Sequence, residues 1–185
     1  MSNIATASGS PAAGYTLIAR ILHWLTALLV LGMIPAGLLI SHFELGPIGD
    51  VLYNLHKSVG PLLLFIVIIR LLYRFKHPPP PLPDDILPVQ KLAAHFTHWA
   101  LYLLVMAQSL VGWIGVSAYR APIPFFGLFN LPPIWPEDRA FSNQMFVLHF
   151  WIAVALVIVI GMHVGAALFH HFIRKDRVLM RMVSG

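Results

Sequence analysis

Histidine is the residue type that offers the most chemistry in this sequence. Ten histidines occur in a chain of 185 residues that is 58% hydrophobic and only 10% charged. An ionisable side chain inside an apolar helix is costly to bury and is a functional candidate, although a lone histidine can also form an interhelical hydrogen bond. His149 and His163 are 14 residues apart. At 100° per residue they share one helix face, about 21 Å apart along the axis, which suits two stacked cofactors.

Four long apolar runs must position these histidines. They cover approximately residues 18–40, 56–75, 92–117 and 143–172. Each reaches the ~20 residues that cross a bilayer, so the sequence predicts an all-α, integral membrane four-helix bundle. Residues 1–14 are small and polar and predict a disordered tail, which leaves residues 15–185 as the transmembrane domain. No clean cleavage site follows the first run, which indicates a retained helix rather than a signal peptide.

The positive charges predict the orientation of the bundle. Cytoplasmic loops carry an excess of Lys and Arg, and with the N-terminus inside, nine of the twelve such residues lie on the inner side. Both termini are therefore predicted to be cytoplasmic. The same placement explains the formal net charge of +5 without a nucleic-acid partner. The absence of cysteine excludes disulfides, thiolate catalysis, Cys-ligated iron–sulfur clusters and covalent c-type haem.

Depth in the membrane pairs four of the histidines. It places His23 near His163 towards the inner side, and His56 near His149 towards the outer side. Two histidines that face each other across a bundle core can supply both axial ligands of a haem iron, so the spacing predicts two haems. Arg70 lies 14 residues after His56 and so faces the core at the inner level. There it either pairs with a haem propionate or snorkels to the interface.

Several motifs of this chain resemble those of the bacterial di-haem cytochrome b561 family. They are Arg20-Ile-Leu-His23-Trp24, His56-Lys57-Ser58-Val-Gly60, Arg70-Leu-Leu-Tyr-Arg74, His95-x-x-His98 and the His149/His163 pair. The resemblance covers nearly all of the chain after the tail. It implies a multi-pass protein of the bacterial inner membrane that binds two haem b groups.

The resemblance also implies roles for individual residues. The family's axial ligands carry over onto His23, His56, His149 and His163. Beside Arg70, the motif residues Arg20 and Lys57 are expected at the haem propionates or periphery, and no catalytic residue is expected beyond the haem. In length, in its four-helix layout and in Tyr119-Arg120, the chain is similar to the branch that oxidises superoxide and reduces ubiquinone.

The remaining polar residues of interest lie at the two ends of the bundle. Histidine suits hydrogen bonding and proton donation to a quinone near neutral pH. The inner-end candidates for a quinone site are His95, His98, His170 and His171, and the alternatives are propionate binding or interfacial anchoring. The candidates for steering a small anion to the outer haem are Lys57, Arg120 and Arg139, which otherwise are solvated loop charges. The outer loop, residues 118–138, is either a lid over the helix ends or a hydrophobic interfacial segment.

Three functions follow from these observations. The first is a superoxide:ubiquinone oxidoreductase that moves electrons from the outer haem to the inner one. The second is a cytochrome subunit that accepts electrons from a separate protein, such as a dehydrogenase or hydrogenase. The third is a proton or metal transporter that uses membrane histidines. That third function is disfavoured because all seven acidic residues lie outside the apolar runs.

Overall fold

Four long helices dominate the structure, a computed structural model that describes residues 14–185. All four are long and apolar enough to cross a membrane, which confirms the predicted all-α membrane bundle. The predicted tail at residues 1–14 lies, apart from Gly14, outside the described residues. The helices are α1 (Leu17–His42), α2 (Gly46–Lys76), α3 (Pro88–Tyr119) and α4 (Arg139–Leu168), which continues as a π-helical turn (Phe169–Arg174). A hairpin of β1 (Pro124–Phe125) and β2 (Phe129–Asn130) lies between α3 and α4, and the short helix α5 (Met180–Val183) follows the π-helical turn.

The helices begin earlier than the apolar runs predict. α2 starts at Gly46 rather than at about His56, because Pro47 occupies its first turn, where a missing N–H leaves nothing unpaired. His56 therefore lies about three turns inside α2. α4 starts at Arg139, and the Asp138 side chain caps it by accepting a hydrogen bond from the Phe141 N–H at 2.9 Å. The helix starts thus follow first-turn prolines in α2 and α3 and side-chain caps in α1 and α4, all of them ahead of the apolar segments.

An apolar layer crosses the middle of the bundle. Leu156 lies seven residues from both His149 and His163 on α4 and is 3% exposed. Around it pack buried residues from the other three helices, namely Val30, Leu63, Val67, Tyr102 and Val105. The outward faces carry exposed large apolar side chains, such as Leu28, Leu103 and Ile158, as expected for helices in contact with lipid. The layer thus separates two levels at which histidines enter the core.

The two ends of the bundle are closed by different segments. At the end that carries both described termini, which we call the inner end, α5 lies against the start of α1 and the proline-rich α2–α3 loop. The opposite, outer end is covered by residues 120–138, which include the hairpin. The hydrogen bonds that hold α5 are Tyr15 N–H to Arg181 O (3.1 Å), Arg20 Nη1 to Ser184 O (3.0 Å), Arg20 Nη2 to Val183 O, Trp24 Nε1 to Met182 O (3.1 Å) and Arg181 Nη1 to Pro81 O (2.8 Å).

Candidate cofactor sites between the helices

Two pairs of histidine rings face each other with the same geometry. The centroids of His23 and His163 are 6.2 Å apart with an interplanar angle of 67°. The centroids of His56 and His149 are also 6.2 Å apart, with an angle of 69°. These are the pairs that membrane depth predicts. Two imidazoles that share one metal at about 2.0–2.1 Å, with ring centres about 1.1 Å beyond the nitrogens, have centroids about 6.2–6.4 Å apart. Both pairs therefore fit the ligand set of a six-coordinate haem iron.

Both pairs join helices whose backbones stay apart, although their side chains meet in the apolar layer. Within the described residues, α1 packs on α2, α2 on α3 and α3 on α4, whereas α4 makes almost no backbone approach to α1 or α2. His23 reaches from α1 to α4, and His56 reaches from α2 to α4. The bundle is thus open where the rings meet, as it must be if a plate-like group is to enter the core.

The surroundings of the outer pair, His56 and His149, leave little room for another explanation of these rings. The Nδ1 atom of His56 is buried without a hydrogen-bond partner, and the Nδ1 atom of His149 has only the Gln108 main chain nearby, outside hydrogen-bonding geometry. An interhelical hydrogen bond therefore does not account for either ring. Glycines abut both rings: a Cβ at Gly37 would lie 3.3 Å from the His56 Cε1, and one at Gly112 would lie 3.0 Å from the His149 Cε1.

A cavity of about 890 Å³ lies at the inner pair, His23 and His163. We call it the inner cavity, and it extends from the apolar layer to α5 and the proline-rich loop. Its volume is at the upper end of the range for cofactor and small-molecule sites. Most of its lining is apolar. Its polar members besides the two ligand candidates include Arg70, Tyr73, Arg74, His98, Tyr102 and His170.

Arg70 lies at the inner pair, as its spacing from His56 predicts. Its Nη2 donates to the His23 Nδ1 at 2.8 Å, and its guanidinium lies 5.2 Å from the Tyr102 ring centre. Arg70 thus places a positive charge next to His23, one of the two ligand candidates of the inner pair. Its predicted pairing with a haem propionate is compatible with this position.

The other two residues expected at the haem periphery are Arg20 and Lys57. Both side chains donate hydrogen bonds to main-chain carbonyls of the protein. The Arg20 guanidinium donates to carbonyls of the C-terminal segment. Lys57 is 9% exposed, donates from Nζ to the Pro122 carbonyl at 3.0 Å, and lies 4.4 Å from the Tyr53 ring centre. Both cationic groups thus have main-chain partners, and contact with a haem remains a prediction for them.

The four quinone-site candidates divide into two groups. His98 and His170 line the inner cavity, whereas His95 and His171 do not. The His98 ring centre is 5.3 Å from that of His163, which is closer than two imidazoles on opposite sides of one metal. The Nδ1 of His170 lies 2.5 Å from Oδ2 of Asp176. The sequence groups Asp176 with His170, His171 and Lys175 in a polar cluster at this end, and the π-helical turn brings the carboxylate back onto His170.

The outer cations share one carboxylate. Arg120 and Arg139 lie 3.8 and 3.9 Å from the two carboxylate oxygens of Glu137, and the Arg139 guanidinium also lies 3.9 Å from the Tyr119 ring centre. The neighbouring Asp138 caps α4 at the same rim, so two carboxylates balance the two arginines there. Glu137 is a partner that the sequence pattern did not reveal.

Comparisons with known proteins decide the family. The family model of prokaryotic cytochrome b561 matches residues 14–185. The chain belongs to the prokaryotic cytochrome b561 family. Cytochrome b561 homolog 2 of Escherichia coli (strain K12) is 40% identical over 178 residues, which cover 92% of this chain and 91% of the relative. The "Probable superoxide oxidase CybB" of Yersinia pestis is 29% identical over 88% of this chain and 91% of the relative. Cytochrome b561 homolog 1 of Escherichia coli is 31% identical over 88% of this chain and 92% of the relative.

Membership confirms the coarse expectations from the sequence motifs. As a cytochrome b561 the chain is a b-type cytochrome that binds haem b and transfers electrons. Its four apolar helices and its bacterial relatives make it a multi-pass protein of the bacterial inner membrane. The histidine pairs that bridge the open sides of this bundle both fit haem iron by distance, and the outer pair also fits by the unsatisfied Nδ1 atoms of its two rings.

Proposed function

We propose that this cytochrome binds two haem b groups, one at each histidine pair, and carries electrons from superoxide to ubiquinone. The observation that carries the proposal is the pair of matching ring geometries at two levels of α4. Bound haem supplies the one-electron redox chemistry. In the overall balance, two superoxide ions each lose one electron and become oxygen. The two electrons and two protons convert one ubiquinone to ubiquinol.

The outer loop supports a small-molecule donor. The Lys57 ammonium binds the Pro122 carbonyl, and the Ser58 hydroxyl binds the Pro124 carbonyl and accepts the Phe126 N–H at 3.1 Å. Both anchors directly follow His56, so the loop is fixed beside a proposed ligand. A fixed cover favours a diatomic ion over a docked protein, and Arg120 and Arg139 are the exposed rim cations that we propose attract an anion locally. The name of the Yersinia relative also supports superoxide as the donor.

The inner cavity supports ubiquinone as the acceptor, at the end lined by His170 and α5, because a haem at His23 and His163 would fill the part of the cavity beside those rings. It combines a mostly apolar lining with a few polar side chains next to the inner histidine pair, which is the usual make-up of a site for a largely apolar ligand. His98 and His170 offer imidazoles to the quinone carbonyls, and hydrogen bonds to such groups fix orientation. We infer that His95 and His171, which do not line the cavity, act at most indirectly.

Superoxide-driven haem reduction tests the function directly. Purified protein should carry about two haems per chain, in line with the two histidine pairs. An enzymatic superoxide source should then reduce the haems rapidly, added superoxide dismutase should abolish that reduction, and ubiquinone should reoxidise the haems. The rate should fall as ionic strength rises, because screening weakens attraction to the outer rim. Reduction that is insensitive to dismutase would rule out superoxide as the donor.

One feature favours a second candidate function, a cytochrome subunit that serves a protein donor. The hairpin exposes Leu128 and Phe129, which are 78% and 55% exposed, together with Phe126. An apolar outer patch of this kind can dock a protein. If superoxide fails to reduce the haems, while a membrane fraction that contains dehydrogenases reduces them, this candidate replaces the first.

A further inference from the structure

A histidine–carboxylate pair closes the inner cavity at the end of α4. The Nδ1 of His170 and the Oδ2 of Asp176 are 2.5 Å apart, and the two side chains are only 13% and 16% exposed. The other oxygen, Oδ1, accepts the Val178 N–H at 3.0 Å. The Asp176 N–H in turn donates to the His170 carbonyl at 3.1 Å. The contact is therefore held from both sides by the main chain that leaves the π-helical turn.

The pair lies at the inner end of the cavity. α5 and the proline-rich loop lie across that end, joined by the Arg181 bond to the Pro81 carbonyl. His170 lines the cavity. Because its Nδ1 is engaged by Asp176, its Nε2 is the ring nitrogen left for a ligand. An electron acceptor in the cavity that also needs protons would therefore lie next to the His170 imidazole, whose Nδ1 contacts the Asp176 carboxylate.

The charged surroundings favour an ionised carboxylate at Asp176. Arg174 lies 3.3 Å from Oδ2 through its Nε and bridges onward to the exposed Asp85 at 2.8 Å. Burial raises the pKa of Asp176, but the hydrogen bonds from His170 and Val178 and the charge of Arg174 outweigh burial and leave this pKa below its ordinary value. Arginine stays protonated and does not relay protons, so Arg174 holds the carboxylate in place. The other titratable groups that line the cavity are Tyr15, His23, Arg70, Tyr73, Arg74, His77, His98, Tyr102, His163 and Arg181.

We propose that His170 is the proton donor to a quinone bound in the inner cavity, and that Asp176 is the positioning residue that orients its ring. The proposal rests on the proposed function, since it requires quinone reduction at this cavity. Reduction of one quinone consumes two electrons and two protons. The N–H bond at Nε2 of the charged ring breaks and an O–H bond forms at the carbonyl oxygen that faces it. Water supplies the second proton and restores the ring.

The test isolates the quinone step from superoxide. Holoprotein is reduced with a stoichiometric amount of dithionite and mixed with ubiquinone-1 in a stopped-flow instrument, and haem reoxidation is followed from pH 5.5 to 9. His170→Asn should slow reoxidation at least tenfold, within the range of about 10²–10⁴ that general acid catalysis contributes. Asp176→Asn should also slow reoxidation, because the ring loses the carboxylate that orients it. Asp176→Glu should restore most of the wild-type profile.

Asp85→Asn is the matched control. It removes a carboxylate from the same ion-pair chain, but its side chain is 70% exposed and meets only Arg174, so its pH profile should equal that of the wild type. Haem content and spectra of every variant check the fold. If Asp176→Asn loses haem, the reoxidation rates of His170→Asn and His170→Gln are compared with that of the wild type at matched haem content. Slow reoxidation in both variants supports the proton-donor role, and wild-type rates contradict it. Wild-type haems that ubiquinone-1 does not reoxidise would overturn the proposed function. Wild-type reoxidation with unchanged profiles in both variants would overturn only the role of the pair.

Discussion

At the scale of single residues, two glycines let the ligand rings lie against neighbouring helices. Gly37 of α1 contacts the His56 ring, and Gly112 of α3 contacts the His149 ring. A methyl group at Gly112 would lie 3.0 Å from the His149 ring, and one at Gly37 would lie 3.3 Å from the His56 ring. Both distances are tighter than ordinary Cβ contacts, so either substitution would force the ring or the helix to shift. The position of each proposed outer iron ligand thus depends on a glycine of a different helix, although glycine has no functional side chain.

The substitution Gly112→Ala tests this dependence. Its Cβ would lie 3.0 Å from Cε1 and 3.2 Å from Nδ1 of His149, so the ring or α3 must shift, at a cost of about 1–3 kcal/mol for an overpacked core. We expect weaker retention of the outer haem on heating, measured as haem per chain. Gly32→Ala is the control, because nothing lies within 4 Å of its Cβ and alanine favours the helix by about 1 kcal/mol. Equal haem retention in both variants would contradict the expectation.

A second prediction concerns the ligands themselves. His149→Ala should remove about one of two haems per chain, because His56 then lacks its partner while His23 and His163 keep theirs across the apolar layer. A haem assay and low-temperature spectra, in which one set of bands disappears, measure the loss. His42→Ala is the control, since that ring lies exposed at the end of α1 and bonds only to neighbouring groups of its own helix. Loss of both haems would show that the two sites are not independent.

At the scale of the elements, the outer hairpin is a strained turn held by α2. Leu128 N–H donates to the Phe125 carbonyl at 3.0 Å, and the two residues between them, Phe126 and Gly127, have φ values of 52° and 75°. Positive φ is easy for glycine but costs a bulky residue such as phenylalanine energy. The Ser58 hydroxyl bonds the Phe126 N–H and the Pro124 carbonyl and thereby keeps this turn in place.

Ser58→Ala should therefore release the hairpin. The substitution leaves a partly buried donor and acceptor unpaired, which costs about 1–3 kcal/mol and removes the constraint on the strained turn. We expect faster amide hydrogen exchange across residues 124–130, with exchange in the four long helices unchanged. Ser41→Ala serves as the control, because its hydroxyl contacts only carbonyls and the adjacent histidine of its own helix end. Unchanged exchange in the hairpin would show that other contacts suffice to hold it.

Helical periodicity accounts for much of what the sequence predicts at this scale. A 14-residue spacing and two depths identify which rings meet, because α4 is regular from His149 to His163. The same reasoning fails where the backbone departs from regular geometry. The π-helical turn and the left-handed Lys175 (φ 56°) fold Asp176 back onto His170, and the loop that captures Lys57 reaches it from 65 residues away. Such contacts depend on the tertiary path of the chain, which local patterns do not encode.

At the scale of the whole molecule, the ends of the bundle differ in a way that fits one-way electron transfer. The outer end has a fixed loop and two exposed arginines that share Glu137, and the inner end has an apolar cavity with a histidine–carboxylate pair. The apolar layer around Leu156 separates the two histidine levels. If the outer end faces the periplasm, the protein oxidises its donor outside and takes up protons for the quinone inside.

The orientation of the bundle is therefore the prediction on which this direction depends. Nine Lys and Arg residues lie towards the inner end and three towards the outer end, and an excess of positive charge marks the cytoplasmic side. A green fluorescent protein fused after Gly185 should fluoresce, because it folds in the cytoplasm. Alkaline phosphatase fused after Arg120, in a chain cut at that point, should be active, because it folds in the periplasm. The opposite pattern would place the inner cavity on the periplasmic side, and the proton for the quinone would then be drawn from outside the cell.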